Sequence, residues 1–455
     1  MQIINPATET IIKEQPEDSV TSIKEQYKIL SEGQKRWKQI SLEQRLNCIR
    51  KFSELLDKNK RKLAEILTSE MGKPLSQSLN EISGARNRIQ FFLDNSTKWL
   101  SEEWISTEGV VKEKICYEPL GVIANISAWN YPYLIGVNVF IPALIAGNAV
   151  LYKPSEYTTL TGLEIERMLI ESGIPADCFK TIVGGKQAGK TLLELPLNGY
   201  FFTGSFKTGQ YIAQKVASKL VPCQLELGGK DALYVMNDIE SIEKVAEATA
   251  DGAFYNNGQS CCAVERIYVH ADIYDAYIKA FRAEVTKFKA GNPTEAGVYI
   301  GPLARKEQLE FMAFQVKDAL DKGAKLLSGG KKITGVGYYF EPTILVDVNH
   351  EMSVMKEESF GPIIGIQKVK DDAEALHLMQ DTSYGLTAAV YSKSKERADA
   401  IIEKLDTGTV YWNCCDRVSA SLPWSGRKYS GLGSTLSYQG IRAFVHPKAY
   451  HLKMG

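Results

Sequence analysis

The stretch GVIANISAWNYPYLIGVNVFIPALIAGNAVLYKPSE, residues 121–156, decides the fold. It begins and ends on short apolar runs, GVIANI (121–126) and NAVLYK (148–153), of a length that suits buried strands. Between them, SAWNYPY marks a strand-to-helix junction. The most apolar part, VNVFIPALIAG (137–147), is interrupted by Asn138 and Pro142 and is too short for the ~20 residues of a membrane span. Three more short runs follow: KTIVGG (180–185), GYFFTG (199–204) and CQLELGG (223–229). The amphipathic stretch TGLEIERMLIESG (161–173) separates two of the runs and ends on Gly173, a C′ position. Alternation of strand and helix implies a parallel, doubly wound sheet, with ligands at the carboxyl ends of its strands.

After residue 230 the alternation restarts with ALYVM (232–236), a helix through SIEKVAEATADGAFY (241–255) and RIYVHADI (266–273). The chain therefore reads as two doubly wound, Rossmann-like α/β domains, with the chemistry expected where they face each other. Upstream, residues 17–100 read as helices. In SLEQRLNCIRKFSELL (41–56), Ser41 and Gln44 are spaced as a capping box, and Leu42, Leu46, Ile49, Phe52 and Leu56 recur at helical spacing.

The bulk composition excludes several classes. In 455 residues, Lys+Arg and Asp+Glu each number 54, so the electrostatic footprint of a nucleic-acid binder is missing. The cluster KNKRK (58–62) sits in a helical pattern and reads as a solvated face. The start, MQIINPATETIIKEQPEDS, has neither the basic nor the apolar region of a secretory signal. Eight cysteines in such a length fit a reducing, cytoplasmic setting without structural disulfides. No CxxC occurs and there are five histidines, so no metal site is expected.

The unusual residues cluster at strand ends. YKPSE places Lys153 and Glu156 after one strand; FTGSFKTG (202–209) places Gly204 and Gly209 around a turn into a helix whose first N–H groups suit a phosphate. LELGGKD puts Glu226 inside an apolar strand before a glycine pair, where an unused carboxylate is unfavourable and another group can approach closely. NNGQSCCAVER (256–266) sets Cys261 beside Cys262. Disulfide, metal site, core filler, and one nucleophile with a neighbour are the alternatives. Adjacent cysteines make a strained disulfide. If the segment opens a helix, the two side chains diverge and a thiolate is favoured there. A thiolate, a carboxylate and the amide of Asn130 together make a covalent oxidation site.

LELGGK, NNGQSC, AWNYP, YKPSE, FTGS and EESFGP (357–362) occur in an order that resembles the aldehyde dehydrogenase superfamily over essentially the whole chain. The resemblance implies a nucleotide-binding domain over 1–100 and 120–229, a catalytic domain over 230–428, and a small β oligomerisation extension with the C-terminal tail over 101–119 and 429–455. A homodimer or homotetramer follows from that extension. It implies Cys261 as nucleophile, Glu226 as general base, and Asn130 with the Cys261 backbone N–H as oxyanion donors. The four implied steps are thiohemiacetal formation on Cys261, hydride loss to nicotinamide, a thioester, and its hydrolysis to a carboxylic acid. Lys153 and Glu156 then meet the adenosine ribose, Gly204 and Ser205 the pyrophosphate, and Trp129, Glu358 and Phe360 belong to the cofactor site. Glu156 favours NAD, with NADP possible. An inactive structural or binding member of the superfold is the alternative of another class; such members lack the nucleophile.

For the substrate, Tyr131, Tyr255 and Trp424 match aromatic positions of betaine aldehyde and aminoaldehyde enzymes. Succinate semialdehyde enzymes carry an Arg where this chain has Asn138, although Arg417, in NCCDRVSASLPWSG (413–426), offers a guanidinium from another loop. The expectation ranks an aminoaldehyde, betaine aldehyde or neutral aldehyde above succinate semialdehyde.

Overall fold

The computed structural model describes residues 1–453. Its first sheet has six strands, in the order Gly431–Leu432, Cys223–Glu226, Gly199–Thr203, Val122–Ile126, Ala149–Lys153, Phe179–Thr181. All pairs are parallel except the one made by Gly431–Leu432. The two strands of the opening stretch are buried throughout, as a parallel sheet covered on both faces requires.

The apolar run between them is the helix Pro132–Ala146, buried over most of its length. Its apolarity therefore reflects a core position. The N-terminal helices complete the satisfaction of its last carbonyls: Trp37 Nε1 donates to Leu144 O at 2.9 Å and Arg45 Nε to Ile145 O at 2.8 Å. Among the described residues no helix is long and apolar enough to cross a membrane. The N-terminal region forms the helices Val20–Trp37, Leu42–Lys58, Lys60–Met71 and Leu75–Leu100. The second starts on the Ser41/Gln44 capping box. The helix Thr159–Glu171 is followed by Gly173 at φ 103°, the left-handed conformation of a helix end.

The second sheet has seven strands, in the order Lys325–Ser328, Thr343–Val346, Ile363–Val369, Arg266–His270, Ala232–Val235, Thr387–Tyr391, Thr409–Trp412. Only the pair containing Lys325–Ser328 is antiparallel. Alternate residues of Ala232–Val235 enter two separate cores, Leu233 and Val235 in one, Ala232 and Tyr234 in the other, so both faces are covered.

A third, antiparallel sheet joins Glu103–Ser106, Val111–Pro119 and Val445–Lys453. Of the segment 429–455, Gly431–Leu432 edges the first sheet and the short helix Ser437–Arg442 buries Ile441 before the chain reaches the small sheet. Residues 454 and 455 lie outside the described residues.

Candidate active site at the junction of two cavities

The helix Ile242–Phe254 ends in the single turn Tyr255–Gly258, where Asn256 (φ 53°), Asn257 (φ 57°) and Gly258 (φ 67°) are left-handed. Three such residues end the helical path. Cys261 and Cys262 follow in a turn, not in the first turn of a helix, so the helix-terminus argument for a thiolate does not apply here. Asn257 clamps this backbone: its Nδ2 donates to Gly301 O (2.7 Å) and Pro302 O (2.8 Å), and its Oδ1 accepts from Gly301 N (2.9 Å).

The expected divergence of the two thiols is also absent: both line one cavity of about 540 Å³. They differ in environment. Cys262 is 5% exposed and its Sγ donates to Asp416 Oδ1 at 3.0 Å. The neighbouring Cys261 sulfur and burial hold its pKa well above the ordinary thiol value, so it stays protonated. Asp416 is likewise pushed well above the carboxylate range, by burial first and then by Cys262.

The same cavity is lined by Tyr131, Asn138, Tyr255, Arg417, Trp424 and Glu226. A second cavity, of about 250 Å³, is lined by Trp129, Asn130, Gly204, Ser205, Glu358 and Phe360. Cys261, Glu226 and Thr203 line both, so the two spaces meet at the thiol and the carboxylate. Lys153 and Glu156 line neither; they sit at the end of the neighbouring strand, 3.8 Å apart from Nζ to Oε2.

Glu226 closes the strand Cys223–Glu226, and its Oε1 accepts from Thr435 Oγ1 at 2.5 Å. Burial raises its pKa to about 7, opposed by the Thr435 bond and the Arg88 charge. The glycine pair that follows is a steric requirement. A Cβ on Gly228 would collide with the Glu358 carboxylate, and one on Gly229 would lie 2.8 Å from Cys261 O. Gly229 N donates to Glu358 Oε1 at 3.1 Å, and burial, then the Glu265 charge, raises Glu358 to about 8.

Asn130 is held from both ends. Its Nδ2 donates to Gln259 O at 3.2 Å, leaving one amide hydrogen over, and its backbone carbonyl accepts from Lys73 Nζ at 2.7 Å. Lys73 and Glu81 form a fully buried ion pair, Glu81 Oε1 accepts from Tyr133 N at 2.9 Å, and Lys73 Nζ lies 3.8 Å from the centre of the Tyr131 ring. Sequence reasoning missed this pair, whose one signal was a Gly-Lys-Pro break between two helices. It missed Arg88 as well, which reaches the first cavity from the helix Leu75–Leu100.

The second cavity suits a dinucleotide. Ser205 precedes the helix Phe206–Val216, and no side chain caps its N-terminus, so the first backbone N–H groups remain available for a phosphate. Trp129 and Phe360 meet edge to face at 5.4 Å, with the Arg305 guanidinium 5.5 Å from the Trp129 ring centre. The buried ammonium of Lys153 and the half-exposed carboxylate of Glu156 supply a donor and an acceptor at the next strand end.

Two doubly wound sheets around a nucleotide-type cleft with a thiol at its inner end define an α/β oxidoreductase. The profile described as the aldehyde dehydrogenase family matches residues 1–450. A 3,6-anhydro-alpha-L-galactose dehydrogenase from Vibrio sp. (strain EJY3) is 32% identical over 99% of this chain and 95% of its own length. The succinate-semialdehyde dehydrogenase [NADP(+)] of Deinococcus radiodurans is 31% identical over 98% of this chain and 93% of its own. A betaine aldehyde dehydrogenase from Staphylococcus aureus, solved in complex with NAD+, superposes with a TM-score of 0.94 at 29% identity, covering 100% of this chain and 94% of that one. The chain belongs to the aldehyde dehydrogenase family and is an NAD(P)-dependent aldehyde dehydrogenase.

Proposed function

We propose that this protein oxidises an aldehyde to a carboxylic acid through a covalent adduct on Cys261. The observation that carries the reading is the position of Cys261 and Glu226 on the wall shared by the two cavities. An aldehyde entering the larger cavity meets Cys261 Sγ, which adds to its carbon. The oxyanion formed takes hydrogen bonds from the free amide hydrogen of Asn130 and from the Cys261 backbone N–H. Bound NAD(P) supplies the hydride acceptor. The thioester then left on Cys261 is hydrolysed by water whose proton passes to Glu226. A carboxylate with a pKa of about 7 is half ionised near neutrality, which suits a general base. Cys262, kept as a thiol by the neighbouring Cys261 sulfur and by burial, is a neighbour and not a second nucleophile.

Gly204, Ser205, Trp129, Glu358 and Phe360 would hold the cofactor's pyrophosphate and nicotinamide side, and Lys153 and Glu156 its ribose. The carboxylate of Glu156 favours NAD over NADP, because it accepts from a 2′-hydroxyl and repels a 2′-phosphate. For the substrate, the wall of Tyr131, Tyr255 and Trp424 supports an apolar carbon chain behind the aldehyde. A cation is served less well, since Lys73 already faces the Tyr131 ring and Arg88 and Arg417 share the cavity. The small sheet, with Trp104, Ile105 and Leu452 exposed, is the proposed contact of a cytoplasmic homo-oligomer. The test is aldehyde-dependent reduction of NAD or NADP, followed by absorbance across a panel of aldehydes. Activity that disappears in Cys261→Ala while cofactor binding persists supports the reading; a Cys261→Ala protein that still turns over refutes it.

A further inference from the structure

Arg88 carries the only side chain from the helix Leu75–Leu100 that brings a positive charge into the cavity of Cys261. Its guanidinium is held by one nitrogen. Nη1 donates to Leu134 O at 3.1 Å and to Asn138 Oδ1 at 3.0 Å, both on the helix Pro132–Ala146. These two bonds use both hydrogens of Nη1. Nε and Nη2 make no hydrogen bond among the described residues, and neither is sealed from solvent. Together they form the side-on edge of the guanidinium, whose two parallel N–H groups match the two oxygens of a carboxylate.

Among the described residues no carboxylate stands within ion-pairing distance of Arg88. The acids that share its cavity are otherwise engaged. Asp251 accepts from Tyr299 OH at 2.5 Å, Asp416 accepts from Cys262 Sγ at 3.0 Å, and Glu226 accepts from Thr435 Oγ1. Burial lowers the guanidinium's pKa only to about 10, so it stays charged near neutrality. Its charged neighbours Glu226 and Glu81 stand beyond ion-pairing distance, so the free N–H edge is left for a bound anion, whose direct pairing offsets the cost of the buried charge.

We propose that Arg88 is a specificity-determining residue that binds a carboxylate at the far end of the substrate, so that the preferred aldehydes are ω-carboxyl aldehydes. The inference rests on the aldehyde oxidation proposed for Cys261. A carboxylate fits better than a phosphate because one guanidinium edge offers one charge and two donors, short of what a phosphate dianion requires. Asn138 orients Arg88 by taking one of its Nη1 hydrogens, and Arg417, exposed at the same cavity, adds positive potential along the way in.

The test compares kcat/KM for succinate semialdehyde, butanal, 4-aminobutanal and glyceraldehyde 3-phosphate, in the wild-type protein, Arg88→Leu and Arg88→Lys. The ratio of succinate semialdehyde to butanal should favour the carboxylate in the wild type. It should fall roughly 10- to 100-fold in Arg88→Leu, the scale of lost hydrogen bonds to a charged group, and by less in Arg88→Lys. The wild type gives a second measurement without any variant: succinate should protect Cys261 from alkylation by iodoacetamide at concentrations where butyrate does not. A ratio unchanged by Arg88→Leu, a preference for the cationic or phosphorylated aldehyde, or equal protection by succinate and butyrate overturns the role of Arg88. Those outcomes leave the aldehyde oxidation standing. Failure to oxidise any aldehyde with either cofactor overturns the proposed function itself.

Discussion

Replacing Glu226 by Gln separates the two halves of the proposed reaction. Gln keeps the shape and leaves an oxygen for Thr435 Oγ1, which donates to Glu226 Oε1 at 2.5 Å, but it cannot take a proton from water. With the carboxyl at about 7, roughly a tenth of the protein carries the ionised form at pH 6 and roughly nine-tenths at pH 8. Where hydrolysis limits turnover, wild-type kcat should therefore rise with pH and level off above an apparent pKa near 7. Removing a general base costs about 10²- to 10⁴-fold in that step, or ~3–5 kcal/mol of barrier. Stopped-flow absorbance at several pH values reads both phases. Glu226→Gln should show a burst of about one reduced cofactor per site, set by the single thiol, then a slow phase without the acid limb near 7. Stability should move the other way. The folded protein holds the Glu226 proton up to about 7 against an ordinary value of 4.5, so charging the group costs stability as pH rises through that interval. Glu226→Gln should then melt higher than the wild type at pH 8 and gain least below pH 4.5. Loss of the burst together with turnover, or an acid limb near 7 that survives in the variant, would refute the assignment of Glu226 as the base.

Cys262→Ala should retain most of the activity that Cys261→Ala loses, and mass spectrometry after one equivalent of iodoacetamide should place the label on Cys261; the reverse pattern would move the nucleophile by one residue. Glu156→Ala should shift kcat/KM from NAD toward NADP by roughly 10-fold, the scale of one lost charge contact; an unchanged ratio means the Glu156 carboxylate does not meet the ribose. Lys73→Met leaves Glu81 as an unpaired buried charge and should cost ~3–5 kcal/mol in unfolding experiments. Adding Glu81→Gln should recover part of that loss, and an unchanged midpoint in the single variant would show that the pair is not holding the Asn130 segment.

Local pattern alone determined the layers of this protein. The run lengths of GVIANI and NAVLYK, the helical spacing after Ser41 and the restart at ALYVM are near-neighbour properties, and the chain obeys them because both sheets bury both faces. Motif order likewise singled out Cys261, Glu226 and Asn130: Glu226 ends and Asn130 follows a strand that the pattern had already placed, and Cys261 lies between a helix and the strand Arg266–His270. What depends on distant residues was not legible. The turn that carries both thiols into one cavity is set by left-handed Asn256 and Asn257 and by their bonds to residues far along the chain, so the helix start that would make the two thiols diverge does not form. The hydrogen bond from Cys262 Sγ to Asp416 joins residues separated by 154 positions. Arg88 belongs to a helix that sequence marks only as amphipathic, and its charge enters the cavity because that helix packs on Pro132–Ala146 and Asn138 takes one of its hydrogens. Charge placement inside a cleft is decided by which surfaces meet, and periodicity along the chain carries no record of that meeting.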